Sequence, residues 1–389
     1  FVMVLGYPGR TNRLVTFNEI NWDLTTGFEE SIKYLQRGIK LIDDHTNEAD
    51  GSKLKYRGRK SGFENYYKKI SGQNNGAKNF NLLEIEKENW EQFLKFANSN
   101  GSKTELSLLE ELLDLIDESL DENLARRYYG NSTLISMAQR IYRNAVEQGK
   151  PDQERKQGYQ ERDQERIRNG IKRMDYSFDS RVDKAIFLDR LSSYSNFDAK
   201  LRRPNYSKNL LLDNDFELTK KKVSELYSSE FTTADAMMKL KDMSLDELDS
   251  SNDPLVRFVR SIYPETLVYE KKYDERSARR QLLKSNFISL LRQYYQSNKK
   301  EIYADANGTL RVTYGNVSGV ELRDGVYYKP FTTLEGIAEK HSGEEPFNVG
   351  DKLLNKIFEK DYGTYYFEPI DSVPVNFIST LDITNGNSG

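Results

Sequence analysis

The residues best suited to chemistry stand at the end of the 389-residue chain, in Gly386-Asn387-Ser388-Gly389. A serine hydroxyl attacks a carbonyl only when it is aimed and when a base removes its proton. A tight loop with glycines on both sides supplies the aim. It exposes the hydroxyl and turns backbone N–H groups toward one point. Ser388 would then be the nucleophile of an acyl transfer, and the N–H groups of Gly386 and Ser388 would form the oxyanion hole. The same residue types make an ordinary surface turn, so the spacing alone leaves both readings open.

A base for that serine is harder to find. The chain holds two histidines, His45 and His341. His45 follows Asp43-Asp44 near an expected helix end, where the helix dipole favours a histidine. His341 lies in a polar Glu339-Lys340-His341-Ser342-Gly343 stretch that also reads as a helix end. Neither setting singles out a base. The absence of cysteine excludes a thiol nucleophile, a thiolate metal site and disulfides within these residues. No spacing of histidines and carboxylates suggests a metal, and no Gly-Lys-Ser/Thr ending marks a phosphate loop, so no cofactor is expected. A net charge of −3 offers no global field for nucleic acid. No apolar run approaches the ~18 residues of a membrane span.

The elements that must position these groups fall into three zones. Residues 1–24 begin with an apolar, β-rich run and a Tyr7-Pro8-Gly9 turn. Residues 25–300 carry helical periodicity. A capping box, Ser102-Lys103-Thr104-Glu105, precedes an apolar stripe of Leu109, Leu112, Leu113, Ile116 and Leu120. A second stripe holds Leu283, Phe287, Leu290, Leu291 and Tyr294. Residues 152–173 form a dense run of alternating charge, which reads as a solvated helix face rather than an anion site. In residues 301–389 the period shortens to two: Leu310, Val312 and Tyr314 alternate with polar residues, Asn307-Gly308 and Asp324-Gly325 are turn signals, and Val373, Val375 and Phe377 lead toward Ser388. A helical block between two β pieces reads as an insertion into a β domain. The chain begins at Phe1 and ends inside a motif, and is expected to be an internal part of a longer protein.

Several stretches carry a resemblance. They are Gly6-Tyr7-Pro8-Gly9-Arg10-Thr11-Asn12, Glu64-Asn65-Tyr66-Tyr67-Lys68-Lys69, Gly158-Tyr159-Gln160-Glu161-Arg162-Asp163, Ala304-Asp305-Ala306-Asn307-Gly308, Pro330-Phe331-Thr332-Thr333-Leu334-Glu335-Gly336 and Asp382-Ile383-Thr384-Asn385-Gly386-Asn387-Ser388-Gly389. In this order they resemble the bacterial serine dipeptidyl-peptidases of the dipeptidyl-peptidase 7 and dipeptidyl-peptidase 11 type, in the chymotrypsin-like clan. Tyr67 stands where that family has tryptophan, and Asn385 where it has glycine.

The resemblance implies an α+β fold: a large, mostly helical domain inserted into a chymotrypsin-like β-barrel of which only part is present. It implies an exopeptidase that releases dipeptides from oligopeptides with a free N-terminus. Asn65 would hold the substrate's α-amino group, since an amide oxygen accepts one of its N–H bonds. The triad histidine and aspartate would lie before Phe1, leaving this part inactive alone. The helical block would cap the cleft. The setting would be the periplasm or cell envelope, with a homodimer left open. The competing expectation is a non-catalytic helical module that binds peptides, with Ser388 a turn residue.

Overall fold

The computed structural model describes residues 1–9, 11–129, 132–211, 215–344 and 347–381, with only the backbone described at Leu322 and Arg323. Its contacts divide the chain into a β unit, Phe1–Leu14 with the residues from Tyr303 onward, and a helical unit, Val15–Ile302.

The helical unit opens on a capping box. Thr16 Oγ accepts the N–H of Glu19, and the Glu19 carboxylate accepts the Thr16 N–H at 3.0 Å. Helix α1 (Phe17–Trp22) follows and runs through a π-helical turn, Asp23–Gly27, into α2 (Phe28–His45). The expected β segment of residues 1–24 is therefore shorter: β1 covers Val2–Gly6, and the helical unit starts at Val15 rather than 25. Two long helices follow, α3 (Ser52–Asn79) and α4 (Leu82–Asn100). The expected box at Ser102 is formed, with Glu105 N–H to Ser102 Oγ at 3.2 Å and Ser102 N–H to the Glu105 carboxylate at 2.9 Å. It starts α5 (Lys103–Tyr128).

After α5 come α6 (Thr133–Gln148), α7 (Gln164–Lys172), α8 (Met174–Ser177), α9 (Ser180–Tyr194), α10 (Pro204–Leu210), α11 (Phe216–Leu226), α12 (Ala234–Asp242), α13 (Leu245–Ser250) and the 44-residue α14 (Pro254–Ser297). The charge run 152–173 is helical only in its second half. Before α7 it makes two 3-10 turns, because Gly158 takes φ +95° and Asp163 accepts the N–H groups of Gly158 and Gln160. No continuous helix face exists there to be solvated.

Two apolar clusters dominate the unit. One gathers Phe93 and Ala97 of α4, Leu109, Leu112 and Ile116 of α5, and Leu283, Phe287 and Leu290 of α14. The two stripes legible in the sequence thus bury each other, with Phe93 and Phe287 edge to face at 5.7 Å. The larger cluster joins the end of α5 and α6 to the beginning of α14 through the helices between.

In the β unit, β1 pairs antiparallel with β2 (Arg311–Gly315). A hairpin of β3 (Val320–Arg323) and β4 (Val326–Tyr328) turns at Gly325, φ +73°. Strand β5 (Phe331–Thr333) pairs with β6 (Pro374–Phe377), and α15 (Leu334–Lys340) and α16 (Asp351–Phe358) lie between them in sequence. Among the described residues the strands form three two-stranded sheets. The β1–β2 register puts Met3 opposite Tyr314 and Leu5 opposite Val312, all four more than half exposed. Where the chain leaves and re-enters this unit, the Asp305 carboxylate accepts from Thr11 Oγ at 2.7 Å and from the N–H groups of Arg13 and Leu14.

Candidate active site

Gly386 and Ser388, the expected oxyanion hole and nucleophile, lie outside the described residues, as does Asn387. The two histidines are both placed, and both serve the backbone. His45 ends α2 with Nδ1 3.0 Å from the Leu41 carbonyl, and His341 Nδ1 accepts the N–H of Val349 at 3.0 Å. Near the strand that leads toward the serine, Glu335 of α15 accepts from the hydroxyls of Tyr362 and Ser372. Burial pushes its carboxyl upward, but those hydroxyls more than offset this and bring it down to about 2. This arrangement fastens the segment before β6. It offers no proton acceptor at neutral pH.

Asn65 lies in the middle of α3. The inner face of that helix buries Tyr56, Ile70, Asn74 and Ala77. Tyr67 turns the same way, and its hydroxyl accepts from Gln36 of α2 at 3.1 Å. Asn65, two residues earlier, points about 200° away around the helix. It is exposed, with no hydrogen bond holding its amide among the described residues. The tyrosine that departs from the resembled family's pattern therefore packs on α2, away from the Asn65 face.

That face is unusually open. Gly58, Gly62, Gly72 and Gly76 all lie on it, and a Cβ built on any of them would meet nothing within 4 Å. Glycine inside a helix costs about 1 kcal/mol relative to alanine. Packing within the described part of the helical unit gives no reason for that cost.

The electrostatics of α3 are lopsided. The helix carries eight lysine and arginine side chains against one carboxylate, Glu64, in a chain whose net charge is −3. Several of these cations are matched: Lys53 with Glu48 at 2.7 Å, Lys60 with Asp43 at 2.6 Å and Lys78 with Glu29 at 3.2 Å. Arg59 lies against the rings of Tyr56 and Phe63. Arg57, Lys68 and Lys69 are exposed and make no ion pair among the described residues, although Lys69 Nζ sits 5.8 Å above the Tyr66 ring. The sequence reading passed over this group, although the density of basic residues between Lys53 and Lys69 was there to see.

Behind α2, an open cleft of about 480 Å³ is lined by Lys33, Gln36, Arg37, Tyr128, Ser193 and Phe197, among others. Its cations are engaged, Lys33 with Glu30 at 2.8 Å and Arg37 with Asp189. Asn65 is not part of it.

Comparison with known proteins gives this geometry a context. The chain is 33% identical to the Asp/Glu-specific dipeptidyl-peptidase of Shewanella putrefaciens, over all of this chain and 56% of that protein. It is 26% identical to dipeptidyl-peptidase 7 of Phocaeicola vulgatus, over all of this chain and 54% of that protein. The chain thus spans about half the length of the curated relatives it matches. The crystal structure of Porphyromonas endodontalis DPP11 in complex with the dipeptide Arg-Glu superposes with a TM-score of 0.70 at 22% identity, over all of this chain and 55% of that one, so the fold is shared. The profile of one peptidase family matches residues 1–389, end to end, and the chain accordingly belongs to the Peptidase S46 family.

Proposed function

We propose that this chain supplies the nucleophile-bearing half of a serine-type dipeptidyl-peptidase, which releases dipeptides from the free N-termini of oligopeptides through an acyl-enzyme. One observation carries the reading: the family match extends without interruption to the Gly386-Asn387-Ser388-Gly389 run, and the relatives it resembles are named as dipeptidyl-peptidases. Ser388 is the nucleophile in this reading, with the N–H groups of Gly386 and Ser388 receiving the oxyanion. Asn65 anchors the substrate's ammonium group. Its exposed amide on an open helix face suits that role, because a fixed anchor for the terminus sets where the chain is cut.

The base and its carboxylate come from residues other than these 389. His45 and His341 each engage Nδ1 with a backbone group, and among the described residues no carboxylate is bonded to either ring as a triad requires, which favours this assignment. The β unit belongs to a larger, chymotrypsin-like barrel. The exposed row of Met3, Leu5, Val312 and Tyr314 favours that, since such a face needs a cover. The proposed setting is the periplasm or cell envelope.

The test is turnover of dipeptidyl-naphthylamides by the full-length protein. Ser388→Ala should lower kcat by roughly 10⁵-fold or more. Asn65→Ala should lower kcat/KM about 10–100-fold, the value of a hydrogen bond to a charged group, while leaving N-terminally blocked peptides as poor as before. Retained turnover in the serine variant would overturn the proposal.

A further inference from the structure

Helix α9 turns one side toward the joint between α2 and α3, and that side ends on a charge. Val182, Ile186 and Arg190 recur every four residues, and all three are fully buried. Val182 and Ile186 pack with Ile42 of α2 and Tyr56 of α3, and Phe63 of α3 lies against the same cluster. A third aliphatic residue would complete this stripe, but Arg190 stands there instead. Its Nη2 donates to the Tyr34 carbonyl of α2 at 3.0 Å, and its Nη1 donates to the Asp189 carboxylate at 3.3 Å. Its Cζ sits 3.6 Å from the centre of the Tyr34 ring. Nε has no hydrogen-bond partner among the described residues. Stability alone does not ask for this arrangement, since an apolar side chain of similar volume often replaces a buried charge without loss. What a guanidinium adds is direction: a planar group fixed by a donated bond and a stacked ring.

Gly38 of α2 is where this guanidinium meets α3. A Cβ built there would lie 2.6 Å from the Phe63 ring and 2.9 Å from Arg190 Nη2. Phe63 thus rests on bare backbone, and Arg190 is pressed against the same spot. Phe63 precedes Asn65 by two residues, about 200° around the helix. The contact that seats the inner side of this turn therefore also aims the amide on its outer side. Rotating α3 by about 10° moves a side-chain atom ~5 Å from the axis by about 1 Å. A misplacement of about 1 Å in a site is enough to cost roughly 10²-fold in rate. We propose that Arg190 is a positioning residue, which through Gly38 and Phe63 fixes the rotation of α3 and with it the place of the Asn65 amide. The inference rests on the reading of Asn65 as the holder of the substrate's ammonium group.

The experiment is a double-mutant cycle in the full-length protein. The measured quantity is kcat/KM for a dipeptidyl-naphthylamide, normalised to titrated active sites so that unfolded enzyme does not count. Arg190→Met keeps the length of the side chain and removes its donors. It should lower kcat/KM about 10-fold when Asn65 is present, and less than about 2-fold when Asn65→Ala has already removed the group being positioned. A merely structural role predicts the same loss in both backgrounds. Gly38→Ala pushes on the same contact from α2 and should show the same dependence on Asn65; it decides the question if Arg190→Met does not fold. Equal losses with and without Asn65, or no loss in either background, overturn the inference and leave the role of Asn65 intact. An Asn65→Ala enzyme as active as the wild type overturns the amine-anchor reading, and this inference with it.

Discussion

Asp183 shows what a single buried charge does in this fold. Its carboxylate is fully buried on α9. It accepts from Ser132 Oγ at 2.8 Å, from the Tyr227 hydroxyl at 2.6 Å and from the N–H groups of Thr133 and Leu134 at 2.9 and 3.3 Å. It therefore completes the start of α6 from about fifty residues away. Burial and the adjacent Asp183 charge push the Tyr227 phenol well up, so Tyr227 stays a donor. Asp183→Ala leaves the N–H groups of Thr133 and Leu134 without this acceptor. It also leaves one of the Ser132 and Tyr227 hydroxyls without an acceptor, since these two can still bond each other at 2.9 Å. The change should cost about 2–4 kcal/mol in urea unfolding; a loss below about 1 kcal/mol would contradict this account. Asp183→Asn keeps an acceptor and should cost less. No local pattern in the sequence announces this contact, because its partners are close only after folding. The Ser102 box was legible because both partners lie within one turn. Glu335 makes a second prediction at this scale. Its folded pKa of about 2 lies below the ordinary 4.5, so its contribution is fully present above pH 4.5 and is lost as pH falls toward 2. Hydrogen-exchange protection factors, taken relative to the intrinsic rate at each pH, should fall around Glu335, Tyr362 and Ser372 over that window, and Glu335→Gln should flatten the dependence.

In the proposed function, helix α3 sets stability against use. The clear apolar stripes of α5 and α14 could be read because buried faces repeat every 3.6 residues, and packing rewards that period. The inner face of α3 follows the same rule with Tyr56, Phe63, Tyr67 and Ile70, but its outer face obeys no packing rule at all. Only the resemblance pointed to Asn65; the glycines and exposed cations around it stand out once the structure shows which side of the helix is open among the described residues. The boundary expected at residue 24 was missed for a related reason. The apolar run at the start drew attention from Thr16-Phe17-Asn18-Glu19, a capping box as regular as the one at Ser102. Replacing Gly58, Gly62, Gly72 and Gly76 by alanine should raise helix stability by about 0.5–1 kcal/mol per site, since no added Cβ meets an obstacle. The same four changes should lower kcat/KM for oligopeptides, because they fill the face a peptide would approach. A gain in Tm with unchanged turnover would remove α3 from the site.

At the scale of the molecule the two units differ in how they are held together. The helical unit has its own cores, and the largest joins residues from Leu124 to Ile262. Its long helices carry ion pairs across their outer surfaces, such as Arg279 of α14 with Glu111 of α5, but exposed pairs of this kind add little. Burial carries the weight. In the β unit the described residues that are buried are few: Ala306, Leu354, Ile357 and Tyr362 are the larger apolar ones. Meanwhile Met3, Leu5, Val312, Tyr314 and Phe377 stay exposed. Ordering each residue costs about 1–2 kcal/mol of backbone entropy, and a unit with so little buried apolar surface cannot offset it alone. Residues 15–302 expressed by themselves should therefore keep their helical circular dichroism and unfold in one cooperative thermal transition. Residues 303–389 expressed by themselves should show no cooperative transition, and should gain one only when the rest of the full-length β region is supplied. A sigmoidal melt from 303–389 alone would mean that its exposed strand face needs no cover, and would remove the support that face lends to a larger barrel.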